Sequence, residues 1–382
     1  MSFKPHLYYL LALFTLFSTA CSNQQLSHSV DSTIQQFIDS CWLPNAVAYV
    51  EKDGKIIHCK AYGYSNIEHQ QKCQTNNLFR LASQTKAITV VAFMQLYEKG
   101  LVNLNDPVEK YIPQYAGKGI TIFHLLTHTS GICYDNLWEK KFDNIQALAH
   151  NSGEKISLQE NVERMAQLPL AHQPGEKFTY ANNTDIIGRL IEIISEENYV
   201  EYIQKHILTP LEMTNTFFYL PDSLQTRLVT LYQADTCGIK KVEETENLFA
   251  PDSYPSPSAG LCGTIEDYAH FCQMVLNNGS YITHQQPQKT IQILQPHTLQ
   301  LIKQNHVGTI RSDTLGFGFA WDVFLDSKQF NKNTVRWGGM YGTDYIIDMQ
   351  NQLILILYTN CRPNHSGHNH KQAFINAVYQ NL

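Results

Sequence analysis

The chain has 382 residues, 43% of them apolar, with 28 Lys and Arg against 34 Asp and Glu and a formal charge of -6. This globular composition excludes disorder and collagen-like repeats, and the length suits two domains whose core closes without disulfide or metal staples. A mildly acidic chain with no Lys/Arg cluster lacks the counterion-release drive of nucleic-acid binding, so nucleic acid is excluded as a partner.

Lys4 and His6 precede an apolar run over residues 7–17, and Ser18, Thr19 and Ala20 lead into Cys21. The pattern is that of a secretory leader over residues 1–20, shorter in its apolar part than the ~20 residues that span a bilayer. Residues 30–40 show helical spacing (Ile34, Phe37, Ile38). Residues 46–50 and 55–64 read as strands joined at Asp53-Gly54. Helices are predicted over 85–98, 122–127, 185–195 and 265–277. Strands follow over 319–325, 334–337, 344–349 and 353–359, and a last helix over 372–379.

Short connections make the strands antiparallel. The expected class is α/β in the α+β sense. One antiparallel sheet draws on both ends of the chain (24–84 and 310–382) and is flanked by terminal helices, with a mostly helical insertion over 85–309 and a cleft at the seam. The polar, irregular stretches 133–155, 233–258 and 281–295 are expected to wall that cleft.

Besides Cys21 the chain carries Cys41, Cys59, Cys73, Cys133, Cys237, Cys262, Cys272 and Cys361. An exported chain can oxidise such thiols, but no C-x-x-C or finger spacing appears, so no pairing follows and buried free thiols fit equally well. Cys361, His365, His368 and His370 form a Cys/His tract that can mean metal. Its Asn, Gly and Pro neighbours read instead as an exposed loop entering the last helix.

Ser83 and Lys86 stand three apart at the start of an apolar helix ended by Gly100, which puts both on one face. That spacing suits a nucleophile and its base, because a serine hydroxyl attacks only when something takes its proton. The plain alternatives are a helix cap for Ser83 and a solvated face for Lys86. Ser152 and Lys155 repeat the spacing with Gly153 between them and no apolar run behind. Tyr180 and Asn182 form a Y-x-N unit before the helix at 185; the same pattern occurs at Tyr64, Tyr134 and Tyr379, and for Asn182 a helix cap is the simpler reading. Trp337-Gly338-Gly339-Met340 ends a predicted strand, where two glycines let a backbone or substrate come close, or mark a bulge with Trp337 in the core.

Leu81-Ala82-Ser83-Gln84-Thr85-Lys86, Leu125 to Gly131 with His128, Pro174-Gly175-Glu176 leading to Tyr180-Ala181-Asn182, Ala259-Gly260-Leu261 and Trp337-Gly338-Gly339 occur in this order. Together they resemble the serine β-lactamase and penicillin-binding-protein superfamily, in particular its class C-like branch with family VIII esterases and D-aminopeptidase-like enzymes. The resemblance implies that Ser83 attacks a carbonyl while Lys86 and Tyr180 handle its proton. The backbone N–H groups of Ser83 and Met340 then form the oxyanion hole, and Asn182, Trp337, Gly338 and Gly339 hold substrate. It implies no cofactor and no metal, and it makes His128 part of a structural turn.

Where β-lactamases have Lys-Thr-Gly, this chain has Trp337-Gly338-Gly339. The cation and hydroxyl that would hold a β-lactam carboxylate are missing, and Lys86 alone is left as the base, with Tyr180 a protonated relay. Arg336, next along the strand, is expected to face away from the cleft. The segment ending at Cys21 resembles a bacterial lipoprotein box, implying a lipid anchor at Cys21 in the cell envelope; ordinary cleavage near Ala20 is the alternative. The expected activity is exported serine hydrolysis of a small ester, an amide or a peptidoglycan-derived peptide. The rivals are a β-lactamase or D-Ala-D-Ala carboxypeptidase and a non-turnover receptor for peptidoglycan fragments.

Overall fold

A computed structural model describes residues 6–133, 155–243, 249–250, 253–331, 333–362 and 367–382, with side chains from residue 22 onward. Tyr134, Ser152 and His365 lie outside the described residues, as does most of the stretch 133–155. The backbone of α1 (His6–Asp39) passes through Cys21 without a break. No helix among the described residues is long and apolar enough to cross a membrane.

Strands β1 (Asn45–Lys52) and β2 (Lys55–Asn66) form a hairpin whose turn, Asp53 and Gly54, has positive φ at both positions (50° and 72°). Two left-handed residues match the right-handed twist of the strands they join, which is why Asp-Gly reads as a hairpin turn. With β3 (Gln71–Lys72), β4 (Leu315–Phe317), β5 (Asp322–Phe324), β6 (Thr334–Gly338), β7 (Asp344–Asp348) and β8 (Leu353–Tyr358) they make one sheet, ordered β4-β5-β6-β7-β8-β1-β2-β3. Every pairing in it is antiparallel, and the two ends of the chain meet at the β8–β1 pair.

The period of two along β1 sorts its side chains. Ala46, Ala48 and Val50 pack with Val30, Ile34, Leu355, Phe374 and Val378 under α1 and the last helix, α6 (His370–Tyr379). Val47 and Tyr49 face the other core, with α2 (Thr85–Glu98), α3 (Leu158–Ala166), α4 (Asn183–Ser195) and α5 (Ile265–Leu276). A strand covered on both faces must be largely apolar, as β1 is over residues 46–50 and β8 along its length. The bounds predicted for α2 match its observed ones because apolar residues run to Leu96 and Gly100 follows with φ 70°.

Two expectations need correction. The strand over 319–325 is confined to Asp322–Phe324, because Trp321 leaves the ladder to bury its ring and donate from Nε1 to the Tyr345 hydroxyl at 2.6 Å. The C-terminal tract enters α6 as an exposed segment at residues 367–369, as expected, while Cys361 and His370 at its ends are buried and His368 stacks on Trp42. Among the described residues no group of three or more His, Cys, Asp or Glu could hold a metal ion. The described part of 253–258 is not a polar wall. Ser256 and Ser258 are buried between α2 and α4, where Pro257 packs so closely on Gly188 that a side chain there would clash. The cysteines Cys41 to Cys361 are free thiols.

Candidate active site

Ser83 lies in a single 3-10 turn, Ala82–Gln84, that flows into α2. The backbone before it is clamped from two sides. Leu81 N–H donates to Leu261 O at 2.9 Å, and Leu81 O accepts from Thr343 Oγ1 at 3.2 Å. Phe79–Arg80 pairs antiparallel with Cys262–Gly263, the short strand into which the Ala259-Gly260-Leu261 segment leads. The clamp holds Ala82 at φ 48°, a left-handed conformation that costs an alanine about 1–3 kcal/mol and persists only where neighbours over-determine it. Gln84 ties the turn to the sheet: its carbonyl accepts from Tyr268 OH at 3.0 Å and its Oε1 from Tyr358 OH at 2.6 Å.

The plain alternatives for this motif do not hold. The cap position of α2 is Gln84, without a side-chain cap bond, and Lys86 is buried at 3% exposure. Lys86 Nζ is 3.4 Å from Ser83 Oγ, donates to Ser258 O at 3.0 Å, and stands 4.8 Å from the Tyr180 ring centroid. A 3.4 Å contact is long for a hydrogen bond, but such bonds commonly tighten when substrate arrives. Burial pushes the Tyr180 phenol above its ordinary pKa, an effect partly offset by the Ser83 and Trp337 side chains beside it. The phenol is protonated at neutral pH and shares the hydroxyl's immediate surroundings.

The third motif closes the site. Gly339, just past β6, lies on the Ser83 turn: a side chain there would meet Leu81 O at 2.3 Å and Ala82 Cβ at 3.2 Å. Glycine at 339 is thus required by close approach, and it brings the Met340 amide beside the Ser83 turn. Met340 N–H makes no backbone hydrogen bond among the described residues, and Ser83 N–H belongs to the unpaired first turn of a helix. Two such donors can stabilise an oxyanion. Trp337 lies edge-on to Tyr180 at 5.3 Å, and Arg336 faces the other side, bound through Nε and Nη2 to Asp344 at 3.1 and 3.0 Å. Asn182 occupies the cap position of α4 but makes no side-chain cap bond. The other Y-x-N tyrosines sit elsewhere, Tyr64 on β2 and Tyr379 in α6.

His128 sits in a turn with φ 53°, as a structural residue would, yet its buried ring also packs 4.7 Å from that of Tyr180. Burial, then the charges of Lys86 and Arg311, hold its pKa well below the usual range, and Nδ1 accepts from Asn183 Nδ2 at 2.8 Å. It is a neutral wall of the site.

Sequence reasoning missed the support behind Lys86. Buried Asp185, three residues into α4, accepts from Ser258 N–H at 2.9 Å, Tyr254 OH at 3.0 Å and Ser256 Oγ at 3.2 Å. It thereby aims the Ser258 carbonyl at Lys86 Nζ. An acidic residue in the first turn of a helix was the available signal, but that pattern also fits a dipole partner. Arg311, Phe178 and Phe317, which line the rim beside Trp337, were missed as well.

The family model described as Beta-lactamase matches residues 30–380. Esterase EstB of Burkholderia gladioli is 26% identical over 370 residues, covering 88% of this chain and 90% of EstB. Protein Rv1367c of Mycobacterium tuberculosis is 27% identical over 362 residues, covering 85% and 88%. Among solved structures, EstCE1, a hydrolase with promiscuous acyltransferase activity, superposes with a TM-score of 0.81 at 24% identity over 94% of this chain and 100% of its own. With its motifs gathered around one serine and its fold shared with that hydrolase, the chain belongs to the Beta-lactamase family.

Proposed function

We propose that the protein is a serine hydrolase that cleaves an ester, or a reactive amide, through an acyl-enzyme on Ser83. The observation that carries this reading is the meeting of Ser83 Oγ, Lys86 Nζ and the Tyr180 phenol beneath the Gly339 turn. Lys86, in its neutral amine form, takes the hydroxyl proton as Ser83 attacks, and the Ser83 and Met340 amides receive the developing oxyanion. Tyr180, kept protonated by burial, passes a proton to the leaving group and later draws one from the attacking water. General-base assistance is worth ~10²–10⁴ in rate and an oxyanion donor ~10²–10³.

The esterase branch is favoured by the similarity to EstB and by the missing Lys-Thr-Gly cation and hydroxyl. A fluorophosphonate probe read by intact mass, with p-nitrophenyl esters and a chromogenic cephalosporin as substrates, tests it. The expected result is one adduct on Ser83, ester turnover far above cephalosporin turnover, and a loss of about 10⁴-fold or more in Ser83→Ala. Preferred cephalosporin turnover would make it a β-lactamase, and labelling without hydrolysis a receptor. Export with a lipid on Cys21 is proposed on the leader pattern alone, and the mass of the mature N-terminus, measured on protein from the native envelope, reports it.

A further inference from the structure

An ion pair beside the aromatic wall of the site has no part in the chemistry above. Arg311 Nη1 meets Asp322 Oδ1, with the two side chains only 20% and 16% exposed. The guanidinium lies 4.9 Å from the Phe178 ring, 5.5 Å from Phe317 and 5.8 Å from Trp337. Trp337 in turn touches Tyr180. A cation thus stands beside the residue that replaces the motif lysine, one indole ring from the phenol, and a carboxylate holds it. Arg336, on the other side of β6, is held by Asp344 in the same way, and Asp344 also takes Lys371 at 3.1 Å.

A paired guanidinium and carboxylate present almost no net charge to a ligand several ångströms away, whereas a lone guanidinium in an aromatic, poorly hydrated setting attracts carboxylates strongly. We propose that Asp322 sets substrate specificity: by masking Arg311 it makes the cleft select esters with uncharged acyl groups, and without its charge Arg311 binds a substrate carboxylate. Arg311 is retained because it orders the three rings of the wall that backs Tyr180. The proposal rests on the ester-hydrolase reading and names its substrate class.

The groups facing the pair are Arg336 and Asp344 across β5 and β6, and Tyr180, with His128 and Lys86, across the aromatic wall. Burial, partly offset by Arg311, raises the Asp322 carboxyl to about 6. Below that pH the carboxyl is protonated and the mask is lifted, so acid acts in the same direction as removing the charge.

The test compares kcat/KM for p-nitrophenyl valerate with that for the mono-p-nitrophenyl ester of glutaric acid, close in size and differing in charge. The ratio cancels any change common to both substrates. The native protein favours valerate at pH 7.5, and its glutarate-to-valerate ratio rises toward pH 5.5, where the glutarate carboxylate is still ionised. In Asp322→Asn the ratio at pH 7.5 rises about tenfold and loses its pH dependence below 7, and adding Arg311→Met abolishes the gain. Arg311→Met alone, which leaves the Asp322 charge in place, lowers the ratio and supplies the test should Asp322→Asn fail to fold. Unchanged ratios in both single variants, with valerate still turned over, would overturn the proposal. Absence of valerate turnover in the native protein would instead overturn the hydrolase reading.

Discussion

The turn that carries Ser83 and the rim that carries Arg311 are fixed by different forces. The turn is held by hydrogen bonds to backbone and side chains: Leu81 to Leu261 and Thr343, and Gln84 to Tyr268 and Tyr358. Each bond is directional, and together they maintain a left-handed alanine beside the nucleophile. The rim is held by ring faces and one ion pair, Phe178, Phe317 and Trp337 around Arg311 and Asp322. Such contacts tolerate displacement and exchange of size or charge. The difference teaches which part of the molecule can change its substrate without losing its reaction: the rim can drift, and the turn cannot.

Substitutions in the turn should therefore cost far more than those in the rim. The largest effect is expected from Gly339→Val. The added side chain overlaps Leu81 O and Ala82, so the Met340 amide must move away from the Ser83 turn. Fluorophosphonate labelling should slow by at least about 10²-fold, the scale of one lost oxyanion donor. The midpoint of unfolding should fall by the equivalent of about 1–3 kcal/mol of overpacking. Labelling at the native rate would show that the turn is as tolerant as the rim.

Tyr180→Phe comes next, because Tyr180 belongs to both regions. Its ring packs on His128 and Trp337, and phenylalanine keeps those contacts; only the hydroxyl facing Ser83 is lost. Turnover should fall by about 10²–10³-fold while the protein folds normally, separating proton handling from packing. A fall of less than threefold would assign Tyr180 to the rim alone.

How much of this was legible in the sequence follows from how far apart the partners lie along the chain. Helix α2 could be bounded because its apolar run and Gly100 are local signals, and the Asp53-Gly54 hairpin because both turn residues take the conformation their types favour. Ser83 and Lys86 were readable as a unit because one helical turn separates them. Tyr180 and Trp337 entered only through the order of motifs, since nothing in Y-x-N or W-G-G alone says that their rings touch. Asp185 acts through Ser258, more than 70 residues on, and Arg311 through rings at 178 and 337. Neither residue lies in a periodic pattern that could have flagged it. The left-handed Ala82 was invisible for another reason: a glycine would have advertised that conformation, and tertiary clamps impose it here on a residue that disfavours it.

The smallest effect tests how rigidly the turn depends on the sheet behind it. Tyr358, on β8, donates to Gln84 Oε1, and Gln84 Nε2 is buried without a hydrogen-bond partner among the described residues. Tyr358→Phe leaves the whole buried amide unsatisfied, a cost of about 1–3 kcal/mol in stability. The Leu81 clamps remain, so Ala82 should keep its conformation and ester turnover should fall by less than about tenfold, roughly what 1.4 kcal/mol of misalignment represents. Denaturant unfolding and kcat on the same variant check both halves. Stability lost with turnover retained places the geometry of the nucleophile in the Leu81 clamps, and a fall in turnover as large as that of Gly339→Val would place it in the Gln84 tie instead.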